Sequence, residues 1–133
     1  MRIIRKEKDG GPLSRVTGWW LGWKKSPVSM ALLRFDPGSR EAYHSHAFNS
    51  ISWVLRGCLY ECIFSGRVNR YTPSFRPVIT RRSTFHKVLS EGTTWVLTIR
   101  GPWARTWRDY DEATGVESVL THGRKVVSER HLQ

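Results

Sequence analysis

Residues 38–57 read GSREAYHSHAFNSISWVLRG, and they contain two of the chain's five histidines, His44 and His46, separated by one residue. In an extended strand, side chains two residues apart lie on the same face. The two imidazoles are therefore expected side by side, either as ligands of a metal ion or as a polar pair that shares a strand face. Gly38, the first residue of the stretch, completes a strong turn signal with Asp36 and Pro37, and Gly57 marks the end of the stretch.

Short strand-like segments separated by turn residues make up most of the remaining chain. The clearest are SISWVLRG at 50–57 and TTWVLTIRG at 93–101, which both alternate with a period of two. No long segment has a helical period, and we find no repeat or linker. The pattern predicts an all-β protein, a sandwich or barrel in a single domain of residues 1–133. The other strand candidates are 15–23, 29–35, 42–47, 58–64, 76–81, 85–89, 104–111 and, as one more strand or a short helix, 116–127.

The chain is strongly basic, with 22 Lys and Arg against 11 Asp and Glu and a formal net charge of +11. Such a balance favours acidic partners, which include nucleic acid and anionic small molecules. Tryptophan and arginine interleave in GPWARTWRDYD at 101–111. This pattern is typical of a surface that stacks on single-stranded nucleic acid, but also of a strand with one core face and one solvent face.

The two cysteines, Cys58 and Cys62, are too few for a disulfide scaffold. On one extended strand their Cα atoms would lie roughly 13 Å apart, which is too far for a disulfide bond. Free thiols in a reducing cytoplasm are therefore expected. No apolar segment is long enough for a transmembrane helix, and the N-terminus has no apolar signal region, so we expect a cytoplasmic protein without membrane contact.

A third histidine, His86, lies in the separate strand candidate at 85–89. If that strand pairs with the one that carries His44 and His46, three imidazoles converge. Three protein ligands leave positions open for water or substrate, as a catalytic metal site requires. Histidine ligands favour a transition metal over magnesium or calcium.

The spacing within residues 38–57 resembles the first motif of the cupins, which are small double-stranded β-helix, or jelly-roll, proteins. That motif is a glycine, five residues, His-x-His, three or four residues, a glutamate, six residues and a glycine. Every spacing is matched here, but Ser50 stands where the family has the glutamate. The sequence around His86 is similar to the second cupin motif, with Pro77 displaced and Ser90 in place of the usual asparagine. The resemblance covers about residues 29–108.

The resemblance implies an RmlC-like jelly-roll barrel, a homodimer that pairs through sheet edges, and a metal held by His44, His46 and His86. The metal would be iron, nickel, manganese or zinc. Since serine is a poor ligand, the implied site has three histidines and no carboxylate, as in the thiol dioxygenases among the cupins. We therefore expect a metal-dependent enzyme acting on a small molecule, with a dioxygenase-type oxidoreductase as its most specific form.

Two alternatives remain open at this point. In the first alternative the protein has lost the metal, and the barrel binds an anionic small molecule or nucleotide through arginines. The second is a nucleic-acid-associated protein, which rests on the charge. The residues expected to contact a ligand in the barrel are Ser50, Trp53, Tyr60 and Arg82.

Arginines in or beside the strands are expected to point outward, because a charge inside a barrel is costly unless it is paired. An inward arginine would indicate an anionic ligand. The four arginines concerned are Arg56, Arg81, Arg82 and Arg100.

Overall fold

The structure, a computed structural model, describes residues 4–9, 14–21, 27–38, 40–112, 114–121 and 125–131. All regular secondary structure in these ranges is β-strand, and the strands pair in antiparallel fashion. The all-β class is therefore confirmed. The strands are β1 (Ile4–Lys8), β2 (Val16–Leu21), β3 (Ser29–Phe35), β4 (Arg40–His44), β5 (Ser50–Arg56), β6 (Leu59–Ile63), β7 (Val68–Tyr71), β8 (Val78–Thr80), β9 (His86–Ser90), β10 (Thr94–Arg100), β11 (Thr106–Asp111), β12 (Val116–Thr121) and β13 (Lys125–His131).

The strands form two sheets. The first has the order β1-β2-β3-β10-β5-β8, and the second has the order β13-β12-β11-β4-β9-β6-β7. From β3 to β11 the chain passes repeatedly from one sheet to the other, so that neighbouring strands come from distant parts of the sequence. The hydrophobic core includes Trp20, Leu33, Val54, Leu59 and Val96, which come from both sheets.

Strand β10 shows which of its faces points inward. Every second side chain, from Thr94 to Arg100, is buried, whereas Trp95 and the other two residues between them remain partly exposed. The inner face of β10 is thus mostly polar and its outer face is apolar. Strand β5 follows the same rule, because its buried positions include Ser50 while Ile51 is exposed. This direction places hydroxyl groups and one guanidinium in the interior of the fold.

The two glycines at the ends of residues 38–57 both have positive φ angles, 84° at Gly38 and 98° at Gly57. Left-handed backbone is costly for residues that carry a Cβ atom. At Gly57 a Cβ atom would in addition collide with the side chain of Thr94 and the backbone of Thr93. Gly57 therefore combines the turn after β5 with a close approach to β10.

Some strand boundaries differ from the predictions. Strand β4 ends at His44, so the segment 42–47 is extended only in its first half. The tail forms two strands, β12 and β13, which pair with each other, and no helix occurs there among the described residues. Strands β1 and β7 were not predicted, because both are short and rich in polar residues. Residues 22–23 of the predicted strand 15–23 lie outside the described ranges.

No helix within the described part of the chain is long and apolar enough to cross a membrane. Cys58 and Cys62 are both free, as predicted.

Candidate metal centre

Two of the three predicted histidines lie on neighbouring strands. His44 is the last residue of β4 and His86 the first residue of β9, and their Cα positions are paired in the β4–β9 register. His46 lies two residues beyond the end of β4, where the chain is held by two hydrogen bonds between Ser45 and Arg108 of β11: Ser45 N to Arg108 O at 2.8 Å and Arg108 N to Ser45 Oγ at 2.9 Å. The second sheet therefore positions all three histidines.

The three imidazoles form a nearly equilateral group. Their ring centroids are 4.9 Å apart for His44 and His86, and 5.0 Å apart for each pair that includes His46. Each ring offers one nitrogen, and these nitrogens lie within 4.8 Å of one another. His44 and His86 are almost completely buried, at 2% and 3% exposure.

One pair of these nitrogens has the spacing of ligands to a divalent transition metal. The Nε2 atoms of His46 and His86 lie 2.9 Å apart, and two nitrogens that bind one ion at 2.0–2.1 Å are about 2.9 Å apart at a right angle and about 3.3 Å apart at the tetrahedral angle. Without a metal, the same contact is a hydrogen bond between the two rings. His44 adds a third imidazole to this pair. A polar pair that merely shares a strand face would not need a third imidazole beside it.

A carboxylate that the sequence reasoning missed supports this group. Glu61, in β6, accepts a hydrogen bond of 2.5 Å from Nδ1 of His86 at its Oε2 atom. Its other oxygen, Oε1, accepts hydrogen bonds from Tyr71 Oη at 2.8 Å and from Asn69 Nδ2 at 3.1 Å. Glu61 is 7% exposed and belongs to the strand that pairs with β9. The carboxylate absent at position 50 is thus present behind His86.

The protonation of this network follows from its contacts. Burial by itself raises the pKa of Glu61, but the hydrogen bonds from His86, Asn69 and Tyr71 outweigh burial and hold the pKa at about 2. Burial, followed by the hydrogen bond to Glu61, raises the pKa of Tyr71 to about 12. Near neutral pH, Glu61 is therefore an ionised acceptor and Tyr71 a neutral donor.

Glu61 decides which nitrogen of His86 faces the other histidines. Because Nδ1 donates to Glu61, a neutral His86 keeps the lone pair of Nε2 free, and Nε2 is the atom next to His46. A carboxylate that fixes the tautomer of an imidazole in this way is the usual support of a histidine metal ligand. The side chains are thus arranged for coordination through Nε2 of His86.

The histidines line a cavity of about 90 Å³ between the two sheets. This volume holds several water molecules or a molecule of a few carbon atoms. In one part of the cavity, hydroxyl groups and the side chains of Asp9 and Arg100 replace the apolar lining. The apolar lining is formed by Val16, Leu33, Phe35, Phe48, Val54, Leu59, Val78, Val88 and Val96.

No protein-family model matches the sequence, and no match is found among curated proteins. Solved structures do match the fold. A sugar phosphate isomerase of the cupin superfamily from Silicibacter pomeroyi superposes with a TM-score of 0.64 and 13% sequence identity, over 96% of this chain and 88% of that chain. An RmlC-like cupin from Shewanella frigidimarina superposes with a TM-score of 0.58 and 16% identity, over 74% of this chain and 84% of that chain.

The polyketide cyclase RemF from Streptomyces resistomycificus is also similar, with a TM-score of 0.62 and 13% identity over 98% of this chain and 80% of that chain. This chain has the cupin fold. The resemblance of residues 38–57 to the first cupin motif is thereby confirmed at the level of the fold. Because cupins with very different activities share this scaffold, the likeness does not specify a reaction.

The cupin barrel places the four predicted ligand-contacting residues in different surroundings. Ser50 lines the cavity. Trp53 lies on the other face of β5, opposite Leu97. Tyr60 donates a hydrogen bond of 3.1 Å to Glu91, and Arg82 is exposed beside Asn49, so neither belongs to the cavity lining.

The expectation that Arg100 points outward is wrong. Arg100 is 3% exposed and lines the cavity. Its Nη1 and Nη2 atoms donate hydrogen bonds of 3.1 and 2.6 Å to the two carboxylate oxygens of Asp9, so the charge is paired inside the barrel. The residues Arg56, Arg81 and Arg82 are exposed, as expected.

The sequence contains a signal that Glu61 is buried, but none that Arg100 is buried and paired with Asp9. The alternation of CLYECIF places Leu59 and Glu61 together on one face of β6, and a carboxylate among core residues of a strand indicates a buried polar site. Arg100 alternates with apolar residues like any solvent-facing arginine, and its partner Asp9 is 91 positions away in the sequence.

Proposed function

We propose that this cupin is a metal-dependent enzyme that acts on a small molecule, with His44, His46 and His86 as the metal ligands. The proposal is carried by one observation: three convergent imidazoles lie at the wall of a cavity, and a buried carboxylate fixes the tautomer of one of them. The metal would be iron, nickel, manganese or zinc. As its specific activity we propose an oxygen-dependent, dioxygenase-type oxidation.

A bound transition metal would act as a Lewis acid and, in the case of iron, as the centre for oxygen chemistry. The protein supports such chemistry in three ways. Glu61 holds Nδ1 of His86 as a donor, so that Nε2 faces the reaction centre. Apolar side chains such as Val54 and Val96 line the cavity and limit access of water. Ser50 and Arg100 provide polar groups that can orient a substrate.

Elemental analysis of protein purified without chelators tests the ligand set. We expect close to one transition metal per chain in the wild type and almost none in a His44→Ala/His86→Ala double variant. A His131→Ala variant, altered at the end of edge strand β13, serves as the matched control and should keep its metal. A wild-type protein that stays free of metal after reconstitution with each of the four candidates would rule out this function.

Oxygen consumption tests the proposed reaction class. Iron-loaded protein is assayed with a panel of small thiols and small carboxylic acids in an oxygen electrode. We expect substrate-dependent uptake of oxygen that the double histidine variant lacks. Metal binding without oxygen uptake on any compound would retain the metal site and reject the oxidation.

A second candidate function is a cupin that binds a small anion without catalysis. The observation that favours it is the inward guanidinium of Arg100. The cavity of about 90 Å³ is smaller than the roughly 300 Å³ at which ligand pockets for larger molecules begin, which favours a small anion over a nucleotide. This function predicts that a small anion raises the thermal unfolding midpoint in the presence of a chelator.

We propose further that the protein is a homodimer in a reducing compartment, which its free cysteines support. An apolar row crosses the outer face of the first sheet, and its members are paired from strand to strand in register. Three of them are strongly exposed, with Ile79 at 66%. Such a row suits sheet-face packing between two copies better than edge pairing. The row consists of Leu21, Met30, Ile99, Ile51 and Ile79.

A further inference from the structure

Arg100 occupies an unusual place for a cation. Its guanidinium carbon lies 4.6 Å from the ring centroid of Trp20 and 4.2 Å from that of Phe48, and the side chain is 3% exposed. Two aromatic rings therefore shield the guanidinium from water. A buried ion pair seldom adds stability over apolar residues of similar size, so core packing alone gives no reason for a cation here.

The hydrogen-bonding capacity of this cation is only partly used. Asp9 accepts from Nη1 and Nη2, but Nε is buried and has no hydrogen-bond partner among the described residues. Ser29, paired with Arg100 in the β3–β10 register, likewise has a buried hydroxyl without a partner in the described part of the chain. Buried polar groups are rarely left unpaired, so these two neighbouring groups are available to hydrogen-bond a small polar molecule.

The surroundings of Arg100 form a polar end of the barrel interior. Arg100 is paired with Ser50 in the β10–β5 register, and Ser50 is paired with Thr80 of β8. One row further along the strands, Ser52 Oγ and Thr98 Oγ1 are hydrogen-bonded at 2.9 Å. The hydroxyl-bearing residues Ser50, Ser52, Thr80 and Thr98 line the same cavity as the guanidinium.

The polar end and the candidate metal centre are close to each other. The ring of Phe48 lies 5.0 Å from the ring of His46 and 4.2 Å from the guanidinium carbon of Arg100. One aromatic ring and its contacts thus separate the imidazole from the guanidinium. A molecule with a few carbon atoms spans such a distance.

We infer that Arg100, with the hydroxyl of Ser50, recognises the carboxylate of a small substrate whose other end faces the three histidines. A guanidinium matches the planar geometry of a carboxylate, and Asp9 already shows that a carboxylate fits its terminal nitrogens. The substrate carboxylate competes with Asp9 for the guanidinium. The part of this inference that concerns the reacting end rests on the proposed metal-dependent function.

Calorimetric titration with propionate and its neutral analogue propionamide tests this assignment. Both probes are titrated at constant ionic strength into zinc-loaded protein and into chelator-treated protein, with inorganic phosphate as a second anion. We expect propionate to bind in both forms and propionamide to bind at least about 10-fold more weakly, because a charge-assisted hydrogen bond to a buried group is lost. Phosphate should bind more weakly than propionate, since the cavity lining is mainly apolar and leaves its further charged oxygens without hydrogen-bond partners, whereas the ethyl group of propionate suits that lining.

Two variants separate recognition from a purely structural ion pair. Arg100→Lys should weaken propionate binding about 10-fold and leave the zinc content unchanged, since lysine keeps the charge and loses the fork. Asp9→Asn should strengthen propionate binding, because it removes the competing carboxylate. A structural ion pair predicts no gain of affinity in Asp9→Asn. Since Asp9→Asn removes one partner of a buried pair and destabilises the fold, urea unfolding is used to check both variants, and the comparison of propionate with propionamide on wild type decides the matter if neither variant folds.

Three results would overturn the inference: equal affinity for propionate and propionamide, tighter binding of phosphate than of propionate, or no gain in Asp9→Asn. Failure of the metal-dependent function is distinguishable from these. It would appear as absence of zinc binding while the preference for propionate and its increase in Asp9→Asn persist in chelator-treated protein.

Discussion

Replacement of Glu61 by glutamine tests how the carboxylate supports the candidate metal centre. An ionised Glu61 only accepts hydrogen bonds, from His86 on one oxygen and from Asn69 and Tyr71 on the other. Glutamine replaces one of these oxygens by an NH₂ group. If the NH₂ group faces His86, Nδ1 must become an acceptor and the proton moves to Nε2, which then cannot bind a metal. If it faces Asn69, two NH₂ groups oppose each other.

The expected loss of metal affinity follows from this choice between two unfavourable arrangements. Removal of a carboxylate that orients a histidine ligand typically costs 10–100-fold in metal affinity, which corresponds to about 1.4–2.8 kcal/mol. Glu61 makes three hydrogen bonds and is almost fully buried, so we expect the upper part of this range. The Tyr71→Phe variant removes one donor and leaves the contact between Glu61 and His86 in place, so its loss should stay below about 10-fold.

Competition with a fluorescent zinc chelator at pH 7.5 measures these affinities. Wild type, Glu61→Gln, Tyr71→Phe and His86→Ala are compared, and urea unfolding with excess chelator shows that each variant is folded without metal. A Glu61→Gln variant that binds zinc within twofold of wild type, while His86→Ala has lost the site, would refute the role of Glu61. Equal losses in Glu61→Gln and Tyr71→Phe would show that the network, and not the tautomer of His86, is what matters.

The remaining predictions concern stability and association. The pKa of Glu61 in the folded protein, about 2, lies below the ordinary value of 4.5, so its ionised form stabilises the fold above pH 4.5 and this contribution is lost as the pH falls towards 2. The unfolding free energies of chelator-treated wild type and Glu61→Gln should therefore converge over that range. A constant difference between them would contradict the assignment. Gly57→Ala should destabilise by about 2 kcal/mol or more in urea unfolding, and by more than Gly66→Ala, which has a similarly positive φ but open space at its Cβ position; equal losses would argue against the collision. Ile79→Lys should weaken self-association at least about 10-fold in analytical ultracentrifugation, whereas unchanged sedimentation would exclude the apolar face. Trp107 packs edge-to-face on Trp103 at 5.7 Å, so we expect its ring to be engaged within the protein and single-stranded oligonucleotides to bind through charge instead. Their dissociation constant, measured by fluorescence anisotropy, should then rise steeply with salt. A salt-independent constant would show that stacking dominates.

The candidate metal ligands could be predicted from local spacing, because the features that specify them are close together in the chain. His44 and His46 are separated by one residue, and Gly38 and Gly57 adopt the positive φ angles that only glycine accepts readily. The place of His86 beside His44 needed one further assumption, that their strands are neighbours, and the register confirms it. Metal binding itself stays a prediction.

Glu61 and Arg100 show where reasoning from the sequence ended. The alternation of β6 and β10 defines which side chains share a face, but it does not say which face is inward. In β10 hydropathy favours burial of the face that contains Trp95, yet the barrel buries the face that contains Thr98 and Arg100, which line the polar part of the interior cavity.

Strand periodicity and turn positions are therefore determined by residues close together in the sequence, since they depend on backbone preferences and alternation over a few positions. The inward face and the contact partners depend on the pairing of strands that are distant in sequence. Asp9 meets Arg100 across 91 positions, and Glu61 meets His86 across 25. Such contacts arise only when the two sheets pack and enclose a cavity, so the tertiary structure alone places a carboxylate behind His86 and pairs a buried cation with Asp9.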